Sequence, residues 1–448
     1  MDRMTDRAPS PATASPLAPL LSPEGQALLA ELRDHDPAGE LALATRLRRD
    51  HPAELVSAAL AQARLRQRAV AKFGAADAYR MYFTPNGVEQ ATRGSVAAYR
   101  AARFRTLAAP GNGDDAPRIT DLCCGIGGDA IELARAGFAV RAVDLDPVTC
   151  EMARTNVTTL APGGPPVTVT RADVLEYDLT AAGTLFIDPA RRGGRGRIFD
   201  PEAYSPPLSW AVEAVRRVGA GAIKIAPGIP HELVPDDFEA EWISDGGDVK
   251  EAVLWYAGDR APTAPAAPTA PAAPTAPAAP TAPTATSVAP VTPGTRRATL
   301  LSPRTTPASP TTLAGRGLPD PPVRAVGRFL YEPDGAVIRA HLVAEVAEEL
   351  DGGLIDETIA YITADEPRPT PYATAYEITD ELPFNLKKLK ALLRAREVGV
   401  LTVKKRGSAV EPEELRRRLK LKGPHATTVF LTRVSGAPTM LLGHPVSA

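Results

Sequence analysis

From Ser22 onward apolar residues recur at helical spacing: Leu28, Leu29 and Leu32 follow a serine able to cap a helix and a proline, Pro23, suited to the first helical position. A second helix is expected from about Glu40. A third begins at Pro52, where Leu55, Ala59, Leu60, Ala63, Leu65 and Val70 alternate with Arg64, Arg66 and Arg68 as on an amphipathic helix. These stretches predict a helical N-terminal subdomain over residues 22–106. Residues 1–21 carry Pro9, Pro11, Pro16 and Pro19 and no apolar h-region, so they read as a disordered lead rather than a signal peptide.

Between residues 107 and 260 the period changes. Short apolar runs alternate with helical stretches, the pattern of βαβ units around a parallel sheet. Strands are expected near residues 118–123, 139–144, 167–171, 184–188 and 222–226. A further pair near 239–244 and 249–256 has no long helix between its members and predicts an antiparallel hairpin at the sheet edge. Residues 261–283 then repeat Pro-Thr-Ala-Pro-Ala-Ala, and the bias continues to about 322, so 261–322 reads as an extended linker of polyproline character. Order returns at Val323. Strand-like stretches at 358–363, 374–379, 398–404 and 427–434, with helical ones at 384–396 and 412–421, predict a small α+β domain over 323–448.

Composition adds limits to this picture. At 448 residues the chain exceeds one compact core, so division into domains is expected. A hydrophobic share of 44% and a charged share of 23% are those of a globular protein able to bury a core. No run of about 18 apolar residues argues for a membrane span. The net charge of -2 means that any attraction to nucleic acid must be local. Cys123, Cys124 and Cys150 have neither disulfide-framework nor zinc spacing, which points to a reducing, cytoplasmic setting without a metal site.

The chemistry concentrates at Ile119-Thr120-Asp121-Leu122-Cys123-Cys124-Gly125-Ile126-Gly127-Gly128-Asp129-Ala130. A strand ends near an acid, a glycine-rich turn follows, and a helix begins at about Asp129. Such a turn lets backbone approach a ligand and offers the unpaired N–H groups of a helix N-terminus to a carboxylate. Gly125-x-Gly127-x-x-Ala130 with Asp144 also satisfies a dinucleotide fingerprint, so a nicotinamide enzyme is one reading, and a turn that merely needs glycines is another. The second strand ends in Val143-Asp144-Leu145-Asp146-Pro147, where a carboxylate can accept both hydrogen bonds of a ribose diol. Asp173 follows the third strand, placed to meet an adenine amino group. The fourth strand closes with Phe186-Ile187-Asp188-Pro189-Ala190-Arg191-Arg192, so all four sites fall at the ligand-binding edge of an open α/β sheet.

In this order the motifs resemble the class I S-adenosylmethionine-dependent methyltransferase family over roughly 118–256, and the strand-end Asp121 and the Val-Asp-x-Asp-Pro step favour it over a nicotinamide enzyme. The resemblance implies a Rossmann-like, seven-stranded α/β sheet. It also implies that Asp121, Gly125 and Gly127 hold the methionine part of the cofactor, Asp144 the ribose and Asp173 the adenine, while Asp188 opens the catalytic loop. Asp188-Pro189-Ala190-Arg191 is similar to the loop of 5-methyluridine RNA methyltransferases. Those enzymes attack with a cysteine after the next strand, where this chain has Lys224-Ile225-Ala226-Pro227-Gly228. Direct transfer to a nitrogen or oxygen is therefore expected, with Asp188 accepting the substrate's proton and Arg191 touching phosphate or base.

Arg192 and Arg195, in a loop rich in arginine and glycine, suit phosphate contact, and Phe199 and Tyr204 suit stacking on a splayed base. A solvated turn and core packing are the plainer readings. Upstream, Gln90 and Thr92 are placed to reach the cofactor pocket, and Thr84 to Asn86 to cap a helix.

Between Pro383 and Gly423, thirteen Lys and Arg residues face four acids, so the tail is the basic part of a nearly neutral chain. Phe329-Leu330-Tyr331-Glu332-Pro333-Asp334 and the stretch 400–407, which contains Lys404, Lys405 and Arg406, resemble a THUMP-like C-terminal domain. That resemblance implies a structured RNA as substrate, rRNA or tRNA, methylated on a base nitrogen. A small-molecule or protein methyltransferase, or a non-catalytic RNA-binding protein that keeps the fold, are the alternatives.

Overall fold

A computed structural model of the chain describes residues 17–107, 116–191, 200–258, 289–301 and 310–446. They fall into two compact units, one drawn from Met1–Lys224 and Tyr256–Val291, the other from Ile225–Trp255 and Thr292–Ala448.

The first unit opens with six helices: α1 (Ala18–Leu21), α2 (Pro23–Glu31), α3 (Glu40–Leu47), α4 (Ala53–Ala78), α5 (Pro85–Gln90) and α6 (Gly94–Phe104). Ser22 caps α2 by accepting the Gly25 N–H at 3.0 Å, as its place before Pro23 predicts. The end of the expected lead is itself helical, because Leu17 and Leu20 of the α1 turn are buried. Gly74, at φ 73°, breaks α4 near its end.

Alternation follows: β1 (Arg118–Leu122), α7 (Gly128–Arg135), β2 (Ala139–Asp144), α8 (Pro147–Leu160), β3 (Val167–Arg171), β4 (Thr184–Ile187), the two-residue β5 (Ala190–Arg191) and β6 (Tyr204–Ser205), α9 (Leu208–Val218) and β7 (Gly221–Ile225). The five longer strands are parallel in the order β3-β2-β1-β4-β7. β1 lies at the centre, and the reversal of direction in strand order beside it opens the crevice in which such sheets bind ligands. The class expected from the sequence, a Rossmann-like α/β fold, is the one observed.

The second unit contains β8 (Glu239–Asp245) and β9 (Asp248–Tyr256), an antiparallel hairpin turned by Gly246 and Gly247, both at positive φ. The hairpin was expected at a sheet edge, but β10 (Arg296–Leu301) pairs parallel with β8, and β11 (Thr311–Ala314) pairs antiparallel with β10. Two strands thus lie inside the span expected to be linker, while the period-six repeat 261–283 falls outside the described residues. The reason is burial: Arg297 of β10 forms an ion pair with the fully buried Glu239 at 2.8 Å, and Thr299 donates to Glu241, which also accepts the Trp255 indole N–H at 2.8 Å.

The rest of this unit is α+β: β12 (Phe329–Pro333), α10 (Gly335–Arg339), α11 (Val343–Glu349), β13 (Gly353–Asp356), β14 (Ile359–Ala364), β15 (Ala373–Pro383), α12 (Leu386–Ala395), β16 (Val398–Lys405), α13 (Pro412–Leu419), β17 (His425–Val434) and β18 (Ala437–Pro445). They build a seven-stranded sheet in the order β13-β14-β12-β15-β18-β17-β16. Only β16 and β17 pair in parallel, because α13 supplies the crossover that a parallel pair needs. Leu389 and Leu393 of α12 and Leu415 and Leu419 of α13 pack with Val429, Leu431, Met440 and Leu442 of the sheet into one core.

Candidate active site

The turn after β1 places three residues in the left-handed region: Cys123 (φ 63°), Gly125 (φ 55°) and Gly127 (φ 82°). The two glycines serve different ends. A Cβ on Gly127 would stand 3.2 Å from Ala153 Cα, so close packing of the turn against α8 excludes a side chain. A Cβ on Gly125 would meet nothing within 4 Å, so its requirement is conformational and open space lies beside it. The Cys124 N–H donates to the Val143 carbonyl at 3.0 Å. From α8 the fully buried Asn156 donates to the Ile126 carbonyl at 2.9 Å and the Tyr82 carbonyl at 3.0 Å, and accepts the Tyr82 N–H at 2.7 Å. One amide thereby joins the glycine turn to the N-terminal helices. The sequence did signal it, as a polar residue among Cys150, Ala153, Val157 and Leu160 on the buried face of α8.

The acids converge on this turn. Asp144, at the end of β2, accepts the Gly125 N–H on Oδ2 and the Asp146 N–H on Oδ1, both at 3.0 Å. Each carboxylate oxygen keeps a lone pair for a diol. Asp173 accepts the Leu175 N–H at 3.0 Å, which fixes its side chain in the turn after β3. Asp121 is fully buried, and neither carboxylate oxygen has a hydrogen-bond partner among the described residues. Burial raises its pKa well above the usual carboxylate range; Asp129, Asp188 and Asp144 raise it further, and Arg100 opposes them.

Asp188 follows β4, its N–H donating to the Leu122 carbonyl at 3.1 Å. Its Oδ2 accepts from Lys224 Nζ of β7 at 2.7 Å, and Lys224 donates also to Thr92 Oγ1 at 3.0 Å. Thr92 donates to Asp129 Oδ2 at 3.2 Å and accepts from Arg100 at 3.2 Å; Arg100 also pairs with Asp129. The Arg100 guanidinium, 1% exposed, lies over the Phe186 ring at 4.5 Å. Thr92 thus stands in one network with Lys224 and Asp188, whereas Gln90 is exposed to solvent. Thr84 caps α5, accepting the Gly87 N–H at 2.9 Å. Lys224, Asp129 and Arg100 did not stand out in the sequence, because each is a charge inside an otherwise apolar segment whose partner is remote along the chain.

Beyond Asp188, Ala190 pairs with Ser205 and Arg191 with Tyr204, so β5 and β6 clasp the two ends of the arginine-rich stretch. Arg192, Arg195 and Phe199 lie outside the described residues, as does the side chain of Arg191. Tyr204 is 5% exposed. Pairing in β6 turns its ring into the protein, against the stacking role expected for it. Burial, with Asp144, Asp188 and Asp121 nearby, holds the Cys123 thiol far above its ordinary pKa, a setting that disfavours a thiolate nucleophile.

In the C-terminal domain the three cations expected to contact substrate are engaged. Lys404 pairs with Glu332 and lies 5.5 Å from the Tyr376 ring centroid, Lys405 pairs with Glu411 at 2.5 Å, and Arg406 lies over Tyr361 at 5.2 Å. Burial alone would lower the Lys404 pKa, but Glu332 and Tyr376 outweigh it and raise it. Other cations face solvent. Lys387, Lys388 and Arg394 of α12, and Arg417, Lys420 and Lys422 of α13 and the turn after it, are exposed, with no side-chain bond among the described residues. α12 and α13 are neighbours, Lys390 donating to the Arg418 carbonyl at 3.1 Å. Among the described residues no helix is long and apolar enough to cross a membrane, and no cluster of His, Cys, Asp or Glu could hold a metal ion.

The turn fits an amino-acid-like ligand carrying a positive charge. An ammonium beside Asp121 would relieve a buried, unpartnered carboxyl, and the open side of Gly125 leaves room for the ligand's backbone atoms.

Residues 373–445 match a family described as THUMP domain-like, and residues 14–69 match a domain of unknown function. Proteins of two Mycobacterium tuberculosis strains, CDC 1551 / Oshkosh and H37Rv, both named as uncharacterized S-adenosylmethionine-dependent methyltransferases, are 32% identical to the chain over 380 residues, 83% of this chain and 90% of theirs. A crystallised Porphyromonas gingivalis W83 protein assigned as a methyltransferase superposes with a TM-score of 0.69 at 19% identity, over 92% of this chain and all of that one, and so shares the fold.

Proposed function

The chain belongs to the S-adenosylmethionine-dependent methyltransferases and carries a THUMP domain-like segment, and from that premise we propose that it methylates a base nitrogen of a structured RNA, rRNA or tRNA, by direct transfer. When bound, S-adenosylmethionine supplies a methyl group on a sulfonium, so that the carbon–sulfur pair stays with sulfur as the substrate nitrogen's lone pair takes the carbon.

The chain's own residues do the rest. Asp121 would hold the amino group of the donor, with Gly125 and Gly127 letting the backbone approach it. Asp144 would hold the ribose hydroxyls and Asp173 the adenine amine. Asp188 stands at the mouth of the same crevice with Oδ2 engaged by Lys224, and among the described residues nothing bonds to Oδ1. That oxygen accepts the hydrogen of the substrate nitrogen, orients the lone pair, and passes the proton to solvent after transfer. A covalent route is disfavoured by the burial that keeps the Cys123 thiol protonated. Arg191 and the arginines after it supply phosphate contacts.

One observation carries the RNA reading: the exposed, unpaired cations of α12 and α13 in the THUMP domain-like segment of a chain whose net charge is only -2. The test is nucleoside mass spectrometry of rRNA and tRNA from a strain lacking the protein, with labelled methyl transfer by the purified protein to that RNA. One methylated nucleoside should be missing and should reappear in vitro. In the same assay Asp188→Ala should lower transfer by about a thousandfold while donor affinity stays within about tenfold. An unchanged nucleoside inventory, with no label entering RNA, would sink the RNA reading.

A further inference from the structure

We propose that Lys224 is a positioning residue for methyl transfer: bonded to one carboxylate oxygen of Asp188 and anchored by Thr92, it fixes that oxygen and presents the other to the substrate's N–H. The proposal rests on the reading of Asp188 given above.

The argument begins with a strand. β7 reads Gly221-Ala222-Ile223-Lys224-Ile225, and every residue but Lys224 is buried. The lysine side chain is itself only 13% exposed. An ammonium at such a position in a parallel strand is destabilising unless it finds an anion and further acceptors. Asp188 Oδ2 at 2.7 Å and Thr92 Oγ1 at 3.0 Å supply both.

Asp188 in turn has one cationic partner among the described residues, Lys224. Arg100 is bonded instead to Asp129 and Thr92, and Lys72 donates to the Glu89 and Ala91 carbonyls. Lys224 is therefore the counter-charge that the described residues place on that carboxylate.

The pair is also aimed. Thr92 lies between α5 and α6, and Asp129 at the first turn of α7 and the buried Arg100 both bond to it. Lys224 Nζ is thus held from two sides, and holding Oδ2 leaves Oδ1 as the acceptor. The proton leaving the substrate nitrogen passes to Oδ1 and then to water, and the carboxylate is restored; Lys224 keeps its own proton throughout.

The test uses the full-length protein and two independent readouts. Infrared difference spectra of the Asp188 carboxylate, taken against Asp188→Asn, require no RNA. In Lys224→Met, which loses the bond to Oδ2, the carboxylate stretching bands should shift, and in Lys224→Arg they should stay close to those of wild type. In single-turnover transfer to RNA, Lys224→Met should lose about a hundredfold in rate, with the KM for RNA and the donor's Kd within about threefold. Lys224→Arg should restore most of it.

Asp188 carboxylate bands that are alike in wild type and Lys224→Met overturn the proposal. So does a loss of donor binding parallel to the loss of rate, which would make the lysine structural. If Lys224→Met does not fold, Thr92→Val carries the test. It keeps the ion pair and removes the anchor, so a rate lowered about threefold to tenfold supports the proposal and an unchanged rate overturns it. Should wild-type protein transfer no methyl to RNA, the substrate reading falls while the infrared spectra still decide whether Lys224 holds Asp188.

Discussion

The donor end of the parallel sheet and the outer face of α12 and α13 both depend on charge, yet they use it in opposite ways. At the sheet edge the acids are few, buried or half-buried and individually placed: Asp121 without a hydrogen-bond partner among the described residues, Asp144 holding two backbone N–H groups, Asp188 tied to Lys224. On the helices Lys387, Lys388, Arg394, Arg417 and Lys420 are exposed and have no side-chain bond among the described residues. Removing water from a charge makes its neighbours decisive, whereas a solvated charge counts mainly as one of a sum. Chemistry at a single atom suits the first arrangement, and grip on a polyanion suits the second.

The sharpest attempt to break this contrast is Asp121→Asn, which keeps the volume and removes the charge. Donor affinity should fall by about tenfold to a hundredfold in calorimetry, since hydrogen bonds to charged groups are worth roughly 1.5–3 kcal/mol. The ligand-free protein should behave in the opposite sense. Because the folded pKa of Asp121 is raised, its contribution to stability is fully present below the usual carboxylate value and is lost as pH rises through the raised one. The difference in denaturation midpoint between wild type and Asp121→Asn should therefore move in favour of the variant with rising pH. A difference independent of pH would mean that the carboxyl is not buried in solution.

Asn156→Ala should be the next largest, lowering stability by about 2–4 kcal/mol in urea titrations, because it leaves the Tyr82 N–H and two carbonyls without their partner. On the helical face, replacing Lys387, Lys388 and Arg417 together with glutamate should weaken RNA binding by about tenfold or more at low salt. The effect should shrink as salt rises, with stability changed by less than about 1 kcal/mol. The smallest effect belongs to Lys420→Ala, about twofold in RNA affinity. If a single exposed lysine matched Asp121 in consequence, the division into assigned and collective charges would fail.

Much of this was legible along the chain, and the failures share a cause. The strands ending at Asp121, Asp144 and Asp188 announce themselves because each is a short apolar run closed by an acid, a local pattern. β10 did not, since Arg297 and Thr299 sit in sequence dominated by Pro, Thr and Ala, and their burial depends on Glu239 and Glu241, far earlier in the chain. Lys404 to Arg406 show the reverse error. Basic residues in a row look available for RNA until Glu332, Tyr361, Tyr376 and Glu411 come into reach. Thr92 was visible as a residue poised near the pocket, but its link through Lys224 to Asp188 spans 132 positions. Local grammar identifies the ends of strands; it cannot say which distant charges meet.

The clasp between Ala190–Arg191 and Tyr204–Ser205 brings two stretches of chain together directly after β4, closing an excursion of the chain at its base. The entropy of closing such an excursion grows only with the logarithm of its length, about 0.6 kcal/mol for each doubling. Relatives could thus lengthen, shorten or rewrite it at little expense to folding while Asp188 stays where β4 puts it.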